Sequence, residues 1–297
     1  MPPRAWGGIQ RSNTSRVPGN IPPDSIPPCI VEPMPTITDE AVCIRNWDFS
    51  ETSQTTSLFT RNHGIVRGLA KGSRRDRSSF SGGIDLVTRG QVVASIKPGR
   101  ELATIMEWNL HETWPRTRTD PGSNKAAYYI IDLLGRIFTN EDPHERSYFA
   151  TIDALRALQE SHWAEFVLLR FQWTILVDAG FKPDLDEPVP DNLPPTLAFS
   201  PSQGRVLQDN GSHDRWRVRR STITMLRDLQ DNPELLRPEQ DSPESPIVQR
   251  CNRLLAAYVR ELINKEPPTM SRVFPEISRL KSVSDSRLVE QAAPNSR

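Results

Sequence analysis

The sequence lacks an excess of charge: 37 lysines and arginines meet 37 aspartates and glutamates. A neutral chain does not attract nucleic acid through its overall field, so any such affinity must come from a local patch. Cysteine is scarce as well. Cys29, Cys43 and Cys251 lie far apart, with no CxxC pair. This excludes the usual spacing of a zinc module and gives no disulfide framework, as expected of a reducing compartment. No apolar run approaches the length needed to cross a bilayer. Near the start, MPPRAWGGIQRSNTSRVPGNIPPDSIPP has prolines where a signal peptide needs an apolar core. These absences predict a soluble, cytoplasmic protein.

Motifs of common enzyme chemistries are missing too. There is no GxxxxGK[ST] loop, no GxGxxG after a strand and no GxSxG. The histidines (His63, His111, His144, His162 and His213) form neither HxH nor HExxH, and His63 reads as an ordinary turn residue. Asp184, Asp186, Glu187 and Asp191 are close in sequence, but prolines interleave them, so they read as a solvated linker. A metal-dependent nuclease built on these carboxylates stays open as a minor reading. The chain is expected not to be an enzyme.

Proline, by contrast, is plentiful at 27 residues and unevenly placed. Residues 1–40 are rich in Pro, Ser and Gly, and read as a disordered extension that cannot bury enough apolar surface to fold. Residues 266–297 read as a second disordered tail. Residues 41–108 alternate apolar and polar side chains in five short stretches: AVCIRNW, TTSLFT, GIVRGLA, DLVTRGQVVASI and LATIMEW. Five strands with a tight turn at Asn62, His63 and Gly64 suit a small closed barrel of the OB type, assigned to residues 41–120.

From Asn124 the apolar period becomes helical. KAAYYIIDLLGRIF, SYFATIDALRALQ and AEFVLLRFQWTILVDAG form the first part of a helical domain over 121–182. The last of these stops at Gly180 with Pro183 beyond, and turns Phe166, Leu169, Trp173 and Leu176 or Val177 toward a core. Residues 183–218 read as a Pro-rich acidic linker and a hairpin in which Phe199 and Val206 flank SPSQG. Residues 219–265 complete the bundle: WRVRRSTITMLRDLQ reads as a basic lead into a helix. IVQRCNRLLAAYVRELINK reads as an amphipathic helix with Val248, Leu255, Val259 and Leu262 on one side. The fold class is therefore α+β, an N-terminal OB-fold barrel followed by an α-helical bundle with a small hairpin lobe.

One stretch stands out. Within GIVRGLAKGSRRDRSSFSGG, Arg67, Lys71, Arg74, Arg75 and Arg77 occupy eleven positions with only Asp76 against them. Glycines bracket the run, which places it in a long connection between strands. OB barrels bind single strands through a positive groove with aromatic rings nearby. Phe80 follows the run as a candidate stacking residue, and Arg61, Lys97 and Arg100 extend the patch if their loops lie close. Trp47, Phe59 and Trp108 read as barrel core. No pattern for reading base edges is visible, so backbone binding with little sequence preference is expected.

SETSQTTSLFTRNHGIVRGLAKGSRRDRSSFSG resembles the N-terminal barrel of the RecO recombination mediators. Ser50, Glu51 and Thr52 match the start of the family pattern. Phe59, Thr60 and Gly64 match its strand and turn, and Ala70, Lys71, Gly72 and Arg74 its basic segment. Leu102 and Glu107 in ELATIMEWNL are similar to a later strand. AAYYIIDLL with EDPHERSYFATIDALRAL resembles the start of the helical domain, and WTILVDAGFKPDL its Gly-Phe-x-Pro helix end. The match runs over about residues 41–185, more faintly over about 197–264, and leaves out both tails.

The resemblance implies a DNA repair and recombination mediator in the cytoplasm, associated with the nucleoid. It would bind single- and double-stranded DNA and anneal complementary strands. It would also help load a RecA-type recombinase on DNA coated with single-stranded DNA-binding protein (SSB). Its implied partners are RecR and the C-terminal tail of SSB, the latter in a basic, apolar groove on the helical domain, with Arg170 as a candidate. Arg67, Lys71, Arg74 and Arg75 match the family's basic segment, with Arg77 beside them. Many members carry a four-cysteine zinc module after the Gly-Phe-x-Pro end. Here Glu187 and Gln208 fall near where cysteines would stand, so that site cannot be built and no cofactor is expected. An RNA-binding OB protein without annealing or mediator activity remains the alternative.

Overall fold

A computed structural model of the chain describes residues 36–97, 99–140, 142–160, 164–186, 196–212, 215–231 and 245–278. Five strands come first: β1 (Thr36–Asp48), β2 (Gln54–Thr60), β3 (Ile65–Ala70), β4 (Thr88–Ser95) and β5 (Ala103–Thr113). They close into a barrel in the order β1-β2-β3-β5-β4. Only β3 and β5 pair in parallel, with Gly68 opposite Ala103. The first half of β1 pairs with β4 and the second half with β2, which one long, bent strand can do. This is the OB-type barrel the alternation predicts.

Ala41, Cys43, Leu58, Val66, Val92, Ile105 and Trp108 fill the barrel interior. The hairpin between β2 and β3 is locked from outside it. Asp39 accepts hydrogen bonds from the Asn62 backbone and side chain, both at 2.9 Å, and pairs with His63 Nδ1 at 2.7 Å. Gly64 closes the turn at φ +63°, where a Cβ would stand 2.6 Å from the Asp142 backbone.

The helical part comprises α1 (Arg116–Thr119), α2 (Pro121–Ile137), α3 (Glu145–Glu160) and α4 (Ala164–Asp178). Asp120 caps α2 by accepting the Ser123 N–H at 2.7 Å, with Pro121 at the first helical position. α4 ends as expected. Gly180 takes φ +80°, and the Phe181 N–H reaches back to the Leu176 carbonyl at 2.8 Å. Leu169, Trp173 and Leu176 are buried, as are Leu168, Phe171, Gln172 and Ile175, so α4 is enclosed on most sides.

A three-stranded lobe follows, with β6 (Thr196–Ser200), β7 (Arg205–Leu207) and β8 (Trp216–Arg219) in the order β7-β6-β8. Phe199 stands opposite Val206, as the hairpin reading predicts. The basic lead Trp216–Arg219 is a strand, and α5 (Arg220–Asp231) starts directly after it, the helix into which the sequence leads. Phe199 stacks on Trp216 at 5.9 Å and meets Tyr258 edge-on at 5.3 Å, which fastens the lobe to α6 (Pro246–Leu262).

Three expectations are corrected. β1 begins at Thr36, inside the stretch read as a disordered extension, because Asp39 is needed to hold the hairpin turn. The stretch read as a tail packs down through α7 (Met270–Val273) and α8 (Pro275–Ser278), burying Met270, Phe274 and Ile277. Finally, α6 buries more than the one side expected of it: Val248, Leu255 and Val259 are in the core as predicted, and every residue over 251–259 is buried as well. The rest of both tails, and residues 187–195 of the acidic linker, fall outside the described residues.

Helices cover part of the barrel's outer surface. Val42, Ile44, Phe59 and Ile65 belong to the same buried cluster as α2, α3 and α4. Phe59 stacks on Phe138 at 5.5 Å and lies 6.4 Å from Tyr148. Burial of one such ring is worth about 1.5–3 kcal/mol, so this contact fixes which part of the barrel stays open.

Candidate nucleic-acid interface

The outer face of β2 and β3 alternates between Phe59, Ser57 and Thr55 on one strand and Ile65, Arg67 and Leu69 on the other. Phe59 and Ile65 lie under the helices. Toward the other end of the ladder the face opens, with Arg67 exposed and Leu69 partly so. Trp47 on β1 pairs with Thr55, Thr55 with Leu69, and Leu69 with Thr104 on β5. These four residues form a row across the sheet, directly below the two connections that crown this end.

One connection is the turn of residues 49–53, and the other is the long basic loop of residues 71–87. They are joined. The Gly72 N–H donates to Ser53 Oγ and the Arg74 N–H to the Thr52 carbonyl, both at 3.1 Å. Arg74 Nη2 stands 2.6 Å from Asp48 Oδ1. From beneath, Gln54, only 1% exposed, braces both limbs of the loop. Its side-chain oxygen accepts from Ser73 Oγ and the Ile84 N–H, both at 3.0 Å, while its amide donates to the Ile84 carbonyl. The returning limb then runs along β5, where Ser79 accepts the Trp108 N–H at 2.9 Å.

The loop is therefore a braced crest. Ser73 and Phe80 point inward and residues 74–77 are all exposed. Among the described residues, Arg67, Lys71, Arg75 and Arg77 have no ion-pair partner, whereas Arg74 is shared with Asp48. Lys71, Arg75 and Arg77 on the crest, with Arg67 on the adjoining face, make a local positive surface suited to phosphate oxygens.

The remaining candidates separate. Phe80 is corrected: at 4% exposure it belongs to the barrel interior and presents no face to a base. Arg61 lies at the far end of β2, whose seven residues span about 20 Å. Its guanidinium is engaged by Glu145 and lies 5.0 Å over the Phe149 ring, so it fastens barrel to helices and does not extend the patch. Lys97 and Arg100 are exposed and share a turn, Arg100 N–H to Lys97 carbonyl at 3.1 Å. Their connection enters β5 at Ala103, opposite Gly68, so it approaches the sheet beside Arg67 and not beside the crest.

Two aromatic residues were missed. Trp108 is barrel core as expected, whereas Phe59 is buried on the barrel's outer face under the helices; Trp47, also read as barrel core, is 53% exposed, and Phe49 is 66% exposed. They flank Asp48, the residue paired with Arg74. Composition offers no signal for Trp47. Phe49 could have been noticed as a large ring in FSETS, a turn-like stretch.

Burial pushes the Cys251 thiol up to about 12 and that of Cys43 higher still, so both stay protonated. His63 is held by Asp39, His111 by Glu40 at 3.3 Å, and His144 lies between Asp142 and Asp178. Asp184 pairs with Arg205 at 3.3 Å. Glu187, Asp191, His162 and His213 lie outside the described residues. Among the described residues no three His, Cys, Asp or Glu side chains gather as a metal site, and no helix is long and apolar enough to cross a membrane. Arg170 is exposed on α4.

Comparison with known proteins converges on one family. The pattern described as Recombination protein O N terminal matches residues 34–114, which is the barrel. The pattern described as Recombination protein O C terminal matches residues 118–270, from the first helix to α7. A DNA repair protein RecO of Roseiflexus sp. (strain RS-1) is 28% identical over 239 residues, 78% of this chain and 83% of that protein. One from Rhodopirellula baltica is 32% identical over 144 residues, 48% of this chain and 53% of its own length. One from Dehalococcoides mccartyi (strain ATCC BAA-2266) is 23% identical over 237 residues, 77% and 92% of the two lengths. With both halves of the fold matched in order, and an OB barrel leading into a helical domain, the chain belongs to the RecO family of DNA repair proteins.

Proposed function

We propose that this protein is a non-enzymatic recombination mediator whose barrel grips DNA backbones through the crest. The observation that carries the reading is the braced loop, with Lys71, Arg75 and Arg77 exposed and without ion-pair partners among the described residues, and Arg67 on the adjoining face. Holding two phosphate backbones on one positive surface lowers their mutual repulsion. Complementary strands then pair, and base pairing itself supplies the driving force. Both single- and double-stranded DNA present the phosphates this requires.

The helical domain would serve the partners named for the family, RecR and the C-terminal tail of SSB, and so help a RecA-type recombinase onto SSB-coated DNA. Arg170, exposed on α4, is a candidate contact for the acidic tail. The work would take place in the cytoplasm, at the nucleoid, and without a zinc ion or other cofactor.

The deciding experiment is annealing of two complementary, SSB-coated oligonucleotides with the full chain and with an Arg75→Glu/Arg77→Glu variant. Acceleration by the wild type that is lost in the variant supports the reading. Tight oligonucleotide binding without acceleration, with RNA competing as well as DNA, would replace it by that of an RNA-binding OB protein. Metal content measured on the same full chain tests the cofactor statement, and bound zinc would overturn it.

A further inference from the structure

A phosphate-gripping crest explains affinity for any nucleic acid strand, yet the most exposed rings of the barrel lie next to it. Trp47 and Phe49 are two residues apart, about 7 Å along an extended chain, and Asp48 between them is tied to Arg74 at 2.6 Å. Tryptophan leaves water readily, and the barrel's other large aromatic side chains are buried, Phe80 and Trp108 in its interior and Phe59 under the helices. Holding two rings at 53% and 66% exposure at a strand end forgoes burial that Phe59 and Trp108 obtain.

We propose that Trp47 and Phe49 form a stacking platform for the unpaired bases of single-stranded nucleic acid whose backbone lies along Lys71, Arg75 and Arg77. The proposal rests on the functional reading above and adds to it the part that distinguishes single strand from duplex. The site combines the two elements that sequence-tolerant single-strand binding needs, a cationic track and aromatic faces beside it. Thr55, Leu69 and Thr104 continue the row from Trp47 across the sheet, so the rings stand at the edge of an open surface and not in a closed pocket. A paired base has its faces covered by its neighbours in the stack and cannot use the rings. A strand held here is thus presented with its backbone gripped and some bases splayed, ready for a complementary strand to compete for them.

The test uses the full chain and three labelled probes: a thymidine oligonucleotide, an abasic strand of the same length and charge, and a duplex. Trp47→Ala and Phe49→Ala are each expected to weaken oligonucleotide binding about fivefold or more, with duplex binding and the salt slope unchanged. Trp47→Phe should retain most of the affinity. Wild type should bind the abasic strand more weakly than the normal one, and that difference should shrink in both alanine variants.

If both alanine variants bind the oligonucleotide like wild type while Arg75→Glu/Arg77→Glu weakens it, the platform is wrong and the crest assignment stands. If the charge-reversal variant binds normally, the crest assignment fails on its own. Equal affinity of wild type for abasic and normal strands would also overturn the platform. So would capture of an acidic peptide that depends on Trp47 when oligonucleotide binding does not. Should the Trp47 variants fold poorly, Phe49→Ala lies in the turn and decides the question alone.

Discussion

Arg74 and Asp48 stand 2.6 Å apart, joining the first exposed arginine of the crest to the end of β1, where the exposed rings lie on either side of Asp48. Both partners are substantially exposed, so the pair is worth about 0–1 kcal/mol. That is weak enough to be exchanged for a phosphate. Asp48 thus acts as a local competitor of the ligand: Asp48→Asn should raise affinity for single-stranded DNA and steepen its logarithmic salt dependence by about 0.7, one further contact. Titrations by fluorescence anisotropy over a range of salt concentrations measure both quantities. A slope and affinity equal to wild type would remove Arg74 from the set of phosphate contacts.

Barrel and helices are clamped by a second arginine pair. Arg156 on α3 donates twice to the Glu112 carboxylate of β5, both bonds at 2.8 Å, and Arg89 adds a third at 3.2 Å. The Arg156 guanidinium holds the Glu112 carboxyl below its ordinary value of 4.5. A carboxyl lowered in the folded state stabilises the protein above its unfolded value, and that stabilisation is lost as pH falls through the folded one. Glu112→Gln should therefore cost on the order of 1 kcal/mol at neutral pH, a deficit that fades over the acid range in which the carboxyl takes up its proton. Thermal unfolding of both chains across that range checks it. A deficit that persists undiminished in acid would mean that Glu112 acts through packing and not through charge.

The barrel was legible because its five short stretches mix apolar and polar side chains at roughly alternating spacing, and the helical domain because its apolar period changes at about residue 124. The site was legible only as charge. Counting from Ala41 and Cys43, strict alternation puts Arg45 and Trp47 inside the barrel. An irregularity between Cys43 and Arg45 absorbs one residue, so Arg45 pairs with outward-facing Ser57 and Trp47 turns to solvent. A bulge leaves no mark in composition. Arg61 failed for another reason: it looks like part of the basic run, but its partner Glu145 is 84 positions away and only the packed domains bring them together. Phe80 is decided by the bracing of the loop, since Gln54 and Trp108 draw residues 73 and 79 onto the barrel and carry the ring inward.

The end of the described chain offers a sharper contrast with its polar sequence. Phe274 meets Tyr129 edge-on at 5.4 Å, and Thr269 donates through its hydroxyl to Asp132 of α2 at 2.9 Å. The same Asp132 pairs with Arg45 of the barrel at 3.5 Å and with Arg136 at 2.8 Å. Phe274→Ala should cost about 3–5 kcal/mol, the usual result of emptying a buried aromatic site. Urea denaturation of the full chain would show it as a lower midpoint with an unchanged slope. A loss below about 1 kcal/mol, the level typical of an average substitution, would mean the segment is not part of the cooperative core.

A buried polar chain ties together three helices at the centre of the bundle. The Tyr129 hydroxyl donates to Gln172 Oε1 at 2.9 Å, Gln172 Nε2 donates to Asn252 Oδ1 at 2.7 Å, and Asn252 Nδ2 donates to the Glu165 carbonyl at 2.7 Å. Burial keeps the Tyr129 phenol protonated well above its ordinary value, as its donor role requires. Removing one member strands the others: Asn252→Leu leaves the Gln172 amide without its acceptor, which costs about 1–3 kcal/mol. Replacing both, Gln172→Leu with Asn252→Leu, removes donor and acceptor together. The double variant should then lose less than the sum of the singles, with a coupling of about 0.5–3 kcal/mol. Four chains compared by urea denaturation close the cycle. Strict additivity would show that each amide finds another partner when its neighbour is gone, and that the chain of bonds does not act as a unit.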